Sequence, residues 1–102
     1  MFGWFQSLAA VAAGRSSKWP ALRAAHLRTQ NACQWCGTEE DVEVHHVVPV
    51  HRCPEMELDS TNLISLCAHD HLVIGHFGSW KSWNVTVRDD CHRWQLKRRN
   101  RP

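Results

Sequence analysis

The spacing of its cysteines constrains this chain more than any other feature. Cys33 and Cys36 are separated by two residues and followed by a glycine, the usual shape of a zinc knuckle, in which two thiolates bind one ion and the glycine permits a tight reversal. Cys67 lies downstream and is followed closely by His69 and Asp70. Asp70 has the spacing of a second such pair, whereas His69 has the softer donor, and zinc accepts both ligand types. We therefore predict a structural zinc site, against the alternative of an empty knuckle whose cysteines only pack.

The small size of the chain makes such a metal site useful for stability. With 102 residues it has the length of one domain, and a core of that size is thin. Five cysteines and eight histidines are too many for ordinary packing, and an odd cysteine count argues against a closed set of disulfides. Cys53 and Cys91 have no partner in the knuckle pattern, so we expect them to be small buried apolar residues.

The first residues of the chain are apolar but do not predict a membrane span. Residues 1–13 are fewer than the ~20 needed to cross a bilayer, and they lack the positive start of a secretory signal. We expect a cytoplasmic protein with no membrane association, where free thiols persist. The composition changes at residues 14–17, Gly-Arg-Ser-Ser. This break predicts an N-terminal segment at 1–17, whose first 13 residues could form a separate amphipathic helix, and a functional domain at 18–102.

Charge is segregated along the chain, although the formal net charge is only +2. Residues 1–32 carry four basic side chains and no acid, residues 39–59 are strongly acidic, and six of the eight charged side chains from Arg88 onward are basic. Basic ends around an acidic middle suggest that a polyanion is held by the ends; a solvated helix end is the plain alternative for the tail. The tail side chains that we expect to contact such a polyanion are Arg93, Lys97, Arg98 and Arg99.

The pattern of apolar residues predicts a mixed α+β fold. Helical spacing follows a Ser-Lys-Trp-Pro start at residues 17–29, and β-branched residues dominate a run at 42–50 that ends beyond a proline. A second strand is predicted at 63–66, a short helix at 70–76 and a basic helix at 87–99. The histidines therefore concentrate on the first strand and the short helix.

One constellation is more specific than the rest. His45 and His46 stand in the run Val-His-His-Val-Val-Pro, followed by Asn62-Leu63 and then by His71. Together with the cysteine pattern, these residues resemble the motif of the HNH nuclease family, over residues 33–76. The chain departs from that motif at Asp70, where the family has its last zinc cysteine, and this departure puts the fourth structural ligand in doubt. Without the rest of the motif, His45 and His46 would be interpreted as ordinary strand histidines.

The resemblance implies a fold and a set of roles. The fold would be a ββα-metal core with a structural zinc knuckle and flanking N- and C-terminal helices. His46 would be the general base, and Asn62 would brace the backbone around it. The implied ligands of a catalytic divalent metal are His45, His71 and His76. For the structural zinc, the cysteine spacing indicates Cys33, Cys36, Cys67 and Asp70, with His69 as the alternative to Asp70.

The chemistry of phosphodiester hydrolysis suits these residue types. Water attacking in line needs a base that is active near neutral pH, and imidazole has an unperturbed pKa of ~6.5. A metal on His45 and His71 would act as a Lewis acid on phosphate oxygens. Nitrogen ligands favour Mn2+, Co2+, Ni2+ or Zn2+, whereas Mg2+ prefers oxygen; we expect Mn2+ first. Glu43 is a reserve ligand because strand alternation places it on the face of His45.

Two geometric conditions must be met if these histidines are to act on one phosphate. Strict alternation sends His45 and His46 to opposite faces of a strand, so strand curvature, a bulge or the break imposed by Pro49 must re-aim one of them. His71 and His76 are five residues apart, more than one α-helical turn, and can converge only if Gly75 loosens the helix end.

We predict a metal-dependent DNA endonuclease that nicks one strand at a time with low sequence specificity, as a monomer or weak dimer. The rival interpretations are a non-catalytic zinc module that binds nucleic acid through its basic ends, and a structural metal-binding adaptor. The tryptophans are expected mainly in the core, although Trp80 and Trp83 could line the rim of the histidine site.

Overall fold

The computed structural model describes residues 16–101, which form a two-stranded antiparallel sheet packed between helices. The mixed α+β class is confirmed. The predicted helix of residues 1–13 lies outside the described residues. The elements are α1 (Trp19–Thr29), β1 (Val42–His46), two short 3-10 turns (Pro54–Met56 and Ser60–Asn62), β2 (Leu63–Cys67), α2 (Ala68–Asp70), a π-helical turn (His71–Gly75) and α3 (Val87–Arg99).

The sheet has two faces that are covered by different helices. In the antiparallel register His45 pairs with Ile64 and His46 with Leu63, so alternation separates the two histidines. On the face of His46, Leu63 packs with Trp19 of α1. On the face of His45, Ile64 packs with Val87 of α3. The sheet therefore holds the two histidines on opposite sides of one thin layer.

Helix α1 is anchored to the sheet by apolar packing and by one glutamine. Trp19 is buried beside Val44 and Leu63. Just beyond the helix, the Gln30 Oε1 atom accepts from the Ser65 backbone N–H at 2.7 Å, and the Ser65 hydroxyl donates to the Gln30 carbonyl at 2.6 Å. These two bonds satisfy buried polar groups of β2, so they set where α1 crosses the sheet.

Strand β1 is shorter than predicted. The sequence pattern extends the strand to residue 50, which is wrong, because pairing stops at His46. The reason is Asn62, whose Oδ1 accepts from the Val48 N–H at 2.9 Å and whose Nδ2 donates to the Val48 carbonyl at 3.0 Å. The Asn62 amide thus occupies the N–H and the carbonyl of Val48, which a neighbouring strand would need for pairing. Pro49 follows, and a proline has no N–H to donate to a strand.

Helix α3 is tied to the rest of the domain at both ends. Arg88 donates to the carbonyls of Thr61 at 2.6 Å and Leu63 at 3.2 Å. One turn further along α3, Cys91 is only 2% exposed, as predicted.

Cys53 is not buried, so the prediction that it packs as a small apolar residue is wrong: its sulfur lies 3.0 Å from a Glu55 carboxylate oxygen at the surface. Among residues 16–101, no helix has the length and apolarity that crossing a bilayer requires.

Candidate metal centre and active site

Three histidine side chains from two elements meet on one face of the sheet. His45 comes from β1, His71 begins the π-helical turn and His76 follows it. The ring centroids of His45 and His71 are 4.9 Å apart, those of His45 and His76 4.8 Å, and those of His71 and His76 5.0 Å. One ring nitrogen from each lies within 4.8 Å of the other two, which is close enough to hold one metal ion.

The π-helical turn explains how residues five apart in sequence converge. In a regular α-helix His71 and His76 would be separated by well over one turn, but a π-type turn is wider and pairs residues i and i+5, so it brings them closer to one face. Gly75 closes the turn against His45: a Cβ built on Gly75 would lie 3.2 Å from the His45 Cε1 atom and 3.3 Å from Leu66 Cδ1. The absence of a side chain at this position therefore lets the His45 ring lie beside the turn.

His45 is the strongest sign that the cluster is built for a cation. The residue is 1% exposed, and its Nε2 atom is a buried polar atom without a hydrogen-bond partner among residues 16–101. Burial, together with the neighbouring charges of His71, His76 and His46, lowers the pKa of His45 to about 3. The ring is therefore neutral at physiological pH. A buried unsatisfied nitrogen costs stability, and a metal ion would satisfy it.

The other two histidines, His76 and His71, are each held in one tautomer by an acceptor behind the ring. The His76 Nδ1 atom lies 2.6 Å from the Ser82 carbonyl, which can only accept, so Nδ1 carries the proton and Nε2 the lone pair. The His71 Nδ1 atom lies 2.9 Å from Glu43 Oε1, with the same consequence. Burial lowers the pKa of His76, opposed by the hydrogen bond to Ser82. Glu43 thus lies behind His71, where it orients the imidazole ring, rather than in the group that could hold the ion.

His46 is held by contacts on the opposite face. The residue is 7% exposed, and its ring lies against the Trp19 indole with centroids 4.4 Å apart. Its Nε2 atom is 2.9 Å from the Glu57 carbonyl oxygen. Because that oxygen can only accept, Nε2 bears the proton, and in the neutral ring Nδ1 is the basic nitrogen. Glu57 is itself buried, and its carboxylate accepts from the Ser16 N–H at 2.8 Å.

His45 and His46 nevertheless line one cavity. A cavity of about 440 Å³ lies at the end of β1, where pairing stops, and both histidines contribute to its wall with His71 and His76. The five residues of β1 pair in continuous register, so alternation is kept and no bulge re-aims a side chain. His45 and His46 point to opposite faces of β1, yet both reach this cavity, because a cavity at the end of a strand is open to both of its faces. Asn62 helps to end the strand there through its bonds to Val48.

The cysteine cluster lies at the other end of the sheet. The sulfur atoms of Cys33 and Cys67 are each 3.3 Å from the Asp70 Oδ2 atom, and the sulfur of Cys36 is 3.9 Å from that of Cys67. The four ligand atoms lie within 4.8 Å of one another, whereas His69 is exposed and outside this group. Burial raises the pKa of Cys67 to about 12, so its thiol stays protonated unless a cation binds. The donor set fits a tetrahedral ion with three sulfurs and one oxygen.

Both clusters fall inside one family match. Residues 33–77 match the family model for HNH endonuclease. The resemblance inferred from the motif is confirmed over this range, which ends one residue beyond the motif predicted from the sequence. Comparison with curated proteins gave no match, and neither did comparison with solved structures.

Outside the HNH match, the basic side chains of α3 differ in their surroundings. Arg93, Lys97 and Arg99 are exposed or partly exposed on the helix surface. Arg98 instead turns back to the knuckle, where its Nη1 atom donates to the Cys36 carbonyl at 3.1 Å. The neighbouring Gln95 donates to the Gln34 carbonyl at 2.7 Å, so this end of α3 is docked on the loop that carries the first two cysteines. The guanidinium of Arg98 therefore supports the knuckle.

Sequence reasoning missed the residues that hold the histidines of the two sheet faces. Glu57 and Ser82 act through backbone carbonyls, and a carbonyl carries no sequence signal. Trp19 was predicted on a helix but not against His46. The position of Trp19 at the start of α1 was the one available signal, because a large aromatic residue there is expected to pack against another part of the domain.

Proposed function

We propose that this protein is a metal-dependent DNA endonuclease that hydrolyses phosphodiester bonds, with β1, β2 and the segment from Ala68 to His76 as a ββα-metal core. The observation that carries the proposal is the buried Nε2 atom of His45, which lacks a hydrogen-bond partner among the described residues and belongs to a ring 4.9 Å from that of His71 and 4.8 Å from that of His76. The HNH family match over the same residues supports it.

The proposed metal ligands are the Nε2 atoms of His45, His71 and His76. A divalent ion bound there supplies Lewis-acid stabilisation of the charge that develops on the phosphate and its leaving oxygen. His71 and His76 need no rearrangement to bind, because Glu43 and the Ser82 carbonyl already hold their Nδ1 protons. An all-nitrogen set favours Mn2+, Co2+, Ni2+ or Zn2+ over Mg2+, and we propose Mn2+.

His46 is the proposed general base. The Glu57 carbonyl holds the proton on Nε2, so the neutral ring accepts a proton from the attacking water at Nδ1. The Trp19 ring, tilted by 35° to the imidazole with its centroid 4.4 Å away, restricts the orientation of His46. Asn62 positions the chain after the base through its bonds to Val48. A base oriented from behind by a carbonyl needs no second side chain to select its tautomer.

The remaining features complete the proposal. Structural Zn2+ would be held by Cys33, Cys36, Cys67 and Asp70. Basic residues on the surface of α3 would contact phosphates without reading bases, which gives low sequence specificity. One such centre faces one scissile phosphate, so a monomer or weak dimer would nick a single strand first. We place this activity in residues 18–102 and in the cytoplasm.

A supercoiled plasmid tests the proposal directly. The full chain is incubated with Mn2+, Co2+, Ni2+, Zn2+ or Mg2+ in parallel, and nicked circles should form first with linear DNA later. His45→Ala should lose this activity, because it removes a proposed ligand. Absence of nicked product with every metal would instead favour the non-catalytic zinc module that binds nucleic acid.

A further inference from the structure

The rim of the histidine cavity carries an exposed tryptophan. Trp80 is 59% exposed, yet its ring lies 4.8 Å from that of His76 and meets that of His71 edge-on at 5.2 Å. An indole can bury a large apolar area, so leaving more than half of it in water beside a cavity forgoes much of that stabilisation. The exposed part of Trp80 borders the proposed reaction centre.

A second tryptophan continues the same wall. Trp83 also lines the cavity, with His51 edge-on to its ring at 5.6 Å. The guanidinium of Arg52 lies 5.5 Å from the centroid of the Trp83 ring. Among the described residues that line this cavity, none is acidic. Aromatic faces, a cation and the absence of carboxylates together form a surface suited to a nucleotide. We call Trp80, Trp83 and Arg52 the aromatic wall.

The turn that carries Trp80 is held by its own hydrogen bonds. The Ser82 N–H donates to the Ser79 carbonyl at 3.0 Å, and the Ser82 hydroxyl donates to the carbonyls of His76 and Ser79. The Ser82 carbonyl also accepts the His76 Nδ1 proton. The turn that presents the indole is therefore coupled to a proposed metal ligand, and the position of Trp80 relative to the metal site is set by the fold.

We propose that the aromatic wall stacks one unpaired nucleobase beside the scissile phosphate, so that the preferred substrate is single-stranded DNA or DNA with unpaired nucleotides. The proposal rests on the function proposed above, because it names the substrate class of the same site. In an intact duplex both faces of each base are covered by its neighbours, so an indole at the rim cannot reach one. The cavity of about 440 Å³ has the size of a small-ligand site, about 300–1,000 Å³, which suits one nucleotide unit.

Binding measured without added divalent metal tests the wall separately from cleavage. A labelled oligonucleotide and its duplex are titrated at one salt concentration, and the wild type should bind the single strand more tightly. Trp80→Leu keeps an apolar cover but removes the π face, so the ratio of single-strand to duplex affinity should fall by roughly 5- to 150-fold. Trp80→Phe should keep most of the ratio.

Phe77→Leu is the matched control. Phe77 is 64% exposed but does not line the histidine cavity, so its replacement should leave the affinity ratio unchanged. An unaltered ratio in Trp80→Leu, or no preference for the single strand in the wild type, would overturn the proposal. If the wild type nicks plasmid but Trp80→Leu leaves the affinity ratio unaltered, the aromatic wall is rejected and the nuclease is kept. If Trp80→Leu lowers the ratio but the wild type nicks no plasmid, the wall is kept and the nuclease is rejected.

A second measurement covers the case in which Trp80→Leu does not fold. Stacking on a base quenches indole fluorescence, so a saturating single strand should quench the wild type more than Trp80→Phe. Equal quenching in the two proteins would contradict the stacking contact at this position.

Discussion

The Nδ1 atom of His71 lies 2.9 Å from the Oε1 atom of Glu43. The His71 side chain is 16% exposed and that of Glu43 is 37% exposed, so water reaches the contact and weakens its charge interaction. Its value is orientation, because the carboxylate keeps the proton on Nδ1 and leaves Nε2 to a metal.

The first prediction is that Glu43→Ala weakens divalent-metal binding by about 10- to 100-fold, which is the usual cost of removing such a partner. Glu43→Gln should weaken it less, since the amide oxygen can still accept from Nδ1. Titration calorimetry with Mn2+ measures both. Wild-type affinity in Glu43→Ala would show that His71 is oriented by other contacts.

The second prediction separates the two neighbouring histidines of β1. His46→Ala should slow plasmid nicking by roughly 100- to 10,000-fold and leave Mn2+ affinity intact, because a general base makes no bond to the metal. His45→Ala should lose metal affinity together with cleavage. His92→Ala, an exposed histidine on α3, is the control and should retain both. Near wild-type nicking by His46→Ala would remove His46 from the base role.

The third prediction concerns the cysteine cluster. Protein purified without chelators should hold about one zinc per chain by elemental analysis. Cys36→Ser should lose zinc and melt several degrees lower, since a destabilisation of 1 kcal/mol shifts the melting temperature by roughly 4–8 °C in a domain of this size. Cys53→Ser is the matched control, because the Cys53 sulfur lies at the surface beside the Glu55 carboxylate, outside the cluster. A zinc-free but folded wild type would be incompatible with the assignment.

The fourth prediction uses salt dependence to locate the DNA phosphates. Helix α3 contributes Val87 and Cys91 to the core, so removing the helix would destabilise the fold. The test variant therefore replaces charged side chains on the helix instead of deleting it. The triple variant changes Arg93, Lys97 and Arg99 to glutamine. In a plot of log affinity for duplex DNA against log salt concentration, its slope should be smaller by about 0.9 for each phosphate that the variant no longer neutralises.

Arg98→Gln provides the contrast on the same helix. Because Arg98 donates to the Cys36 carbonyl, its replacement should lower the melting temperature more than it changes the slope. The same slope in the triple variant and the wild type would show that DNA is held elsewhere.

The sequence predicted the local elements well where local signals suffice. The pattern predicts α3 with the bounds that the structure shows, and α1 begins within two residues of its predicted start. Charged residues suited to the helix dipole and a proline at the helix start act within one turn, so no distant contact is needed. The three knuckle cysteines are likewise recognisable, because two of them are close in sequence and zinc allows few ligand types.

Where β1 ends and how His71 and His76 converge were decided by contacts between distant residues. Asn62 lies 14 residues from Val48, whose backbone groups it takes from the sheet. The π-helical turn packs against His45, where a Cβ in place of the Gly75 hydrogen would lie only 3.2 Å from the His45 ring. Neither arrangement follows from propensity, because both depend on side chains brought together by folding.

The tautomers of the histidines depend on the tertiary structure alone. The resemblance to the HNH motif nominated His45, His46 and His71, and their residue type suits the roles because few side chains bind metals or accept protons near neutral pH. Which nitrogen each presents is set by the Glu57 carbonyl for His46 and by the Glu43 carboxylate for His71. A backbone carbonyl is the same in every residue, so its contribution to a site exists only once the chain has folded around it.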